Sequence, residues 1–146
     1  MMQRLQLGDQ VILYDVARTR DAYAKMTSGD AERCGCAYCR NFAAQRSVAY
    51  PENFLQSLIL LGINPDKEGE IYECGSESSL WRYDGWFYLS GQLLEAGERL
   101  TDAGSGFQFY FVDARRLPKP ATDFGENILA IEFCGAKLPW VIAEQP

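Results

Sequence analysis

The amino-acid sequence predicts an α+β domain, a mainly antiparallel sheet of about five to six strands with two short helices from the first half packed on one face. Three observations lead there. Strand-like alternation crowds into the second half of the chain, helical periodicity is confined to residues 37–61, and no strand–helix–strand alternation of the parallel kind occurs.

Taken in order, Val11 to Val16 alternates two sets of side chains and is rich in β-branched and aromatic residues, which predicts a strand. Residues 17–33 are polar and without clear period, and are expected to be a connection. From Ala37, the run AYCRNFAAQR sets Cys39, Phe42, Ala43 and Arg46 on one helical face. A second helix is expected from Pro51, which suits a first turn, through the apolar stripe Phe54, Leu55, Leu58, Ile59 and Leu61. Gly62 offers a left-handed cap and Pro65 follows it. Glu70 to Cys74 is a short strand candidate, with a Gly/Ser turn at residues 75–79. Leu80 to Tyr83 and Trp86 to Leu94 flank Asp84-Gly85, a dipeptide that tolerates the positive φ of a tight hairpin and predicts one here. Residues 97–106 are expected to be a loop, and Phe107 to Val112 and Ile128 to Phe133 two further strands.

No repeat or linker divides the 146 residues, so a single domain 1–146 is expected. A chain of this length buries about 70% of its extended surface, and its core needs no disulfide support. The amino terminus lacks a signal-peptide apolar run, no stretch is long enough to span a bilayer, and an odd cysteine count suggests reduced thiols; the expected setting is the cytoplasm, without a membrane partner. Twenty acidic against fourteen basic side chains give a net charge of −6, which argues against nucleic-acid binding. The charge is uneven. Residues 1–50 carry seven basic and five acidic groups, residues 51–100 three and nine.

Histidine is absent. That removes imidazole-activated nucleophiles and imidazole metal ligands. An enzyme would have to work with thiolates, carboxylates, Tyr or Lys, and neither the carboxylate pairs nor the Gly104-Ser-Gly106 segment forms a recognisable catalytic or phosphate-binding pattern, so binding is favoured over catalysis.

Two constellations carry the functional expectations. Cys34-Gly-Cys36-Ala-Tyr-Cys39 places three thiols within six residues, a pattern that suits a soft metal ion such as Zn²⁺. A tetrahedral site needs a fourth ligand, for which Cys74 and Cys134 are the available thiols. The same thiols also fit redox chemistry, with the two-residue gap between Cys36 and Cys39, or simple packing as small apolar side chains. The second constellation is the predicted hairpin, whose register puts Trp81, Tyr83, Trp86 and Tyr88 on one face. Unless the 97–106 loop or the Trp140 tail covers it, that face is expected to bind a protein partner, and the acidic balance favours a basic one. The leading expectation is therefore a small acidic interaction module, with a zinc-thiolate or thiol-redox protein as the alternative.

Overall fold

The computed structural model describes residues 2–146. Its elements run β1 (Gln3–Leu7), β2 (Gln10–Tyr14), α1 (Val16–Ala24), α2 (Asp30–Cys34), α3 (Ala37–Ala43), α4 (Arg46–Ala49), α5 (Glu52–Leu61), β3 (Glu70–Glu77), β4 (Leu80–Glu95), β5 (Thr101–Gly104), β6 (Phe107–Asp113) and β7 (Ile128–Leu138). The seven strands make one antiparallel sheet in the order β1-β2-β4-β7-β6-β5, with β3 also paired to β4, and the α+β class stands with a larger sheet and more helices than expected.

Strand β4 is the spine. Along one edge its first half pairs with β3, from Leu80 opposite Glu77 to Trp86 opposite Glu70, and its last residues pair with β2. Between those partners its backbone groups need other satisfaction, since unpaired buried peptide groups are costly. Helix α1 supplies it. Tyr23 donates its hydroxyl to the Tyr88 carbonyl at 2.6 Å, Thr19 Oγ1 accepts from the Ser90 amide at 3.0 Å, and the Asp15 amide donates to the Ser90 carbonyl at 3.0 Å. The segment expected as a plain connection is thus a helix with a structural task, started by the Asp15 carboxylate, which accepts from the Arg18 amide. Its buried stripe is only Thr19, Ala22 and Tyr23, too polar to register as a hydrophobic period.

The expected hairpin at Asp84-Gly85 does not form. Strand β4 passes straight through those residues, and the chain reverses earlier at Ser78 and Ser79, which both take left-handed φ values of 54° and 66°. Gly85 is needed for a different reason. A Cβ there would lie 2.2 Å from the Glu70 carbonyl oxygen of the neighbouring strand. Asp84 accepts from the Gly135 amide at 3.0 Å and from Arg82, which secures the bulge that β7 makes opposite it.

With β4 continuous, alternation divides the aromatic residues between the two faces. Tyr83 and Phe87 point toward the helices, Tyr83 against Phe42 (ring centroids 5.4 Å) and Phe87 against Tyr50 (5.8 Å). Phe54 of α5 fills the centre, within 5.0 Å of both Phe107 and Phe109 and 5.7 Å of Phe133. Full burial of each such ring contributes about 1.5–3 kcal/mol. Tyr88 lies on the other face beneath Phe124, with ring centroids 6.2 Å apart.

Candidate metal centre

The cysteine corner is built by two short helices that meet at a glycine. Helix α2 ends at Cys34, and Gly35 takes a left-handed conformation (φ 67°) while its amide donates to the Ala31 carbonyl at 3.0 Å. The chain turns back at once, so Cys36 becomes the N-cap of α3, with its sulfur accepting from the Cys39 amide at 3.4 Å. The Sγ atoms of Cys34, Cys36 and Cys39 all lie within 4.8 Å of one another. Cys34 and Cys36 are exposed, whereas Cys39 is buried behind them beside the core.

Both helices are held firmly. The buried Glu68 carboxylate accepts from the Ala31 amide at 2.8 Å and from Arg46 Nε and Nη2 at 3.0 and 2.8 Å, and the Glu68 carbonyl accepts from the Asp30 amide at 3.0 Å. Arg46 also grips Glu32 of α2 through both Nη atoms. On α3, the Tyr83 hydroxyl donates to the Tyr38 carbonyl at 2.8 Å, and Asn41, fully buried, donates to the Pro139 carbonyl and accepts from the Val141 amide at 2.8 Å. The carboxy-terminal segment is thereby laid along α3. Tyr38, Trp81 and Trp140 close into a ring trio with centroids 5.3 to 5.8 Å apart, and Arg40 donates to the Gly35 carbonyl while pairing with Glu144.

This scaffold makes the three thiols unequal. Partial burial by itself raises the Cys36 pKa, but hydrogen bonds from the Cys39 amide, the Cys34 and Cys39 thiols and the Tyr38 amide outweigh it and hold Cys36 below the ordinary thiol value. Burial pushes Cys39 well above that value, and the neighbouring sulfurs push it further. Of these two thiols, Cys36 is thus the one that gives up its proton more readily.

The other predicted site residues lie elsewhere. Cys74 sits at an irregularity in β3 and Cys134 at the β7 bulge, on either side of β4. Partial burial and the Asp84 carboxylate raise both thiols, Cys74 to about 11. Among the described residues, the cluster within 4.8 Å contains Cys34, Cys36 and Cys39 but neither of these. Nor do the four aromatic residues share a surface. Tyr83 and Tyr88 are buried and hydrogen-bonded on opposite faces of the sheet, Trp81 is half-buried in the trio with Trp140, and Trp86 is half-buried against Tyr72 with ring centroids 6.5 Å apart. The surface expected for a protein partner depended on the Asp84-Gly85 turn, and is divided once β4 runs through it. The Glu68–Arg46–Glu32 network was not legible beforehand, because Glu68 stands in the polar run DKEGE, which has the composition of a solvated loop.

Among the described residues, no helix is long and apolar enough to cross a membrane. The chain matches no known family, no curated protein and no solved structure.

Proposed function

We propose that the Cys34–Cys36–Cys39 corner binds a thiophilic metal ion, with Zn²⁺ the leading candidate, as a centre of three protein thiolates. The proximity of the three sulfurs, within 4.8 Å of one another, carries this reading. Tetrahedral zinc with Zn–S bonds near 2.3 Å sets its sulfurs about 3.8 Å apart, so the corner needs to contract by no more than about 1 Å. Packing does not account for the arrangement, because two of the three thiols face solvent. Thiolates are the soft ligands that zinc and copper(I) favour, and the free state of all five cysteines fits a reducing compartment such as the cytoplasm.

A bound ion would take three ligands from these cysteines and leave a fourth position to water or an external ligand. Arg40 and Glu144 brace the outer turn, and Glu68 and Arg46 brace the inner one, in the manner of the supporting contacts that orient metal ligands.

Metal titration of the reduced chain against a chromophoric chelator tests the reading. Changes in supporting contacts alone typically cost about 10- to 100-fold in metal affinity, so replacing a ligand should cost more than about 100-fold. Cys34→Ser, Cys36→Ser and Cys39→Ser are each expected to fall by that amount, whereas Cys74→Ser and Cys134→Ser retain the wild-type affinity. A wild-type affinity no better than that of a variant lacking all three thiols refutes the centre.

A further inference from the structure

The corner also has the arrangement of a dithiol that exchanges with disulfides. We infer that, in its metal-free state, Cys36 and Cys39 form a reversible disulfide by exchange with small-molecule disulfides, Cys36 attacking first and Cys39 resolving. Only the link between oxidation and metal release rests on the thiolate-centre reading.

Three observations carry this. First, Cys36 is the N-cap of α3 and Cys39 lies three residues on in its first turn, with their Sγ atoms within 4.8 Å of each other; rotation of the two thiols and a small backbone shift at the start of the helix bring them to bonding distance. The Cys39 amide already holds the Cys36 sulfur above that turn, at 3.4 Å. Second, access is asymmetric. Cys36 is exposed while Cys39 is only 5% exposed, so an external disulfide reaches Cys36, and the mixed disulfide that results stands beside a thiol shielded from other partners. Third, the other pair that includes the accessible Cys36 is unsuited. Cys34 and Cys36 are separated only by Gly35 in its left-handed turn, and closing a ring across a single residue imposes strained disulfide geometry.

The exchange balances as follows. Cys36, having released its proton to solvent, attacks one sulfur of R–S–S–R; the S–S bond breaks and RS⁻ leaves. Cys39 then gives its proton to solvent and attacks Cys36 Sγ, breaking the bond to the remaining R–S group, which leaves as a second RS⁻. Two protein thiols lose two electrons in all, and one external disulfide becomes two thiols once the released protons are taken up. Because the same sulfurs serve as metal ligands, oxidation and metal binding exclude each other.

Glutathione disulfide is the probe. The reduced, metal-stripped full chain is incubated in mixtures of reduced and oxidised glutathione, quenched with acid and mapped by mass spectrometry. The expected product is an internal Cys36–Cys39 link, formed equally in Cys34→Ser; Cys39→Ser stalls with one glutathione on Cys36, and prior loading with zinc slows the reaction at least tenfold. Glutathione spread over the exposed Cys34, Cys36 and Cys74 without an internal link overturns the inference, as does a Cys34–Cys36 or a Cys34–Cys39 link. The two readings fail separately. Zinc affinity without the link refutes only the exchange, and the link without zinc affinity refutes only the metal centre.

Discussion

Replacing Arg46 with alanine is expected to cost about 3–5 kcal/mol of folding stability, because it strands a buried charge rather than removing a surface contact. The Arg46 side chain is 12% exposed and the Glu68 side chain not at all, and Arg46 supplies two of the hydrogen bonds that the carboxylate receives. Burial pushes the Glu68 carboxyl up even with Arg46 and the Ala31 amide opposing it. Without Arg46 it rises further. A carboxyl whose folded pKa lies above its unfolded value binds more protons when folded, so between those two values stability increases as pH falls. The deficit of Arg46→Ala should therefore shrink between neutral and mildly acidic pH, and Glu68→Gln in the same chain should recover part of it. Urea unfolding at two pH values checks both. Arg40→Ala, which breaks an exposed pair with Glu144, should cost at most about 1 kcal/mol. A loss at Arg46 no larger than that at Arg40 contradicts the role given to the buried network.

Zinc is expected to raise the unfolding free energy by about 4 kcal/mol when the free ion stands 1,000-fold above its dissociation constant, provided that the unfolded chain binds it weakly. The contribution comes from holding α2 and α3 together at Gly35, the junction that in the apo chain depends on their anchors to Glu68 and Tyr83. Protons compete with the metal for the thiolates, so the stabilisation should diminish as pH falls. Cys36→Ser, with an affinity at least about 100-fold weaker, should leave no more than about 1.4 kcal/mol of it. Urea midpoints measured with and without zinc in wild type and Cys36→Ser provide the comparison, and an unchanged wild-type midpoint contradicts the expectation.

What could be read from the sequence follows the range of the interactions involved. The helix over 51–61 and the strands near 107–112 and 128–133 announce themselves because their signals are local: proline, glycine and a hydrophobic period. Helix α1 escapes because its buried positions include a threonine whose hydroxyl completes a strand edge 71 residues away. The misplaced hairpin has a similar cause. Asp84-Gly85 has the composition of a tight turn, but its glycine answers to the Glu70 backbone and its aspartate to a bulge in β7, while the turn that does form, at Ser78-Ser79, lies within the Gly/Ser turn expected over residues 75–79. The aromatic face fell with it, since moving the turn changed which residues lie beside one another. The cysteine triplet was legible because all three thiols are close in sequence. The placement of Cys74 and Cys134 was not, because it depends on how β3 and β7 pair with β4.

X-ray absorption at the zinc edge of the loaded chain tests the central claim most directly, since it counts the sulfur atoms bound to the ion. Three sulfurs at about 2.3 Å with one lighter atom completing the shell is the predicted result. A shell of oxygen and nitrogen, or four sulfurs drawn from the same chain, would contradict a centre made by Cys34, Cys36 and Cys39 alone.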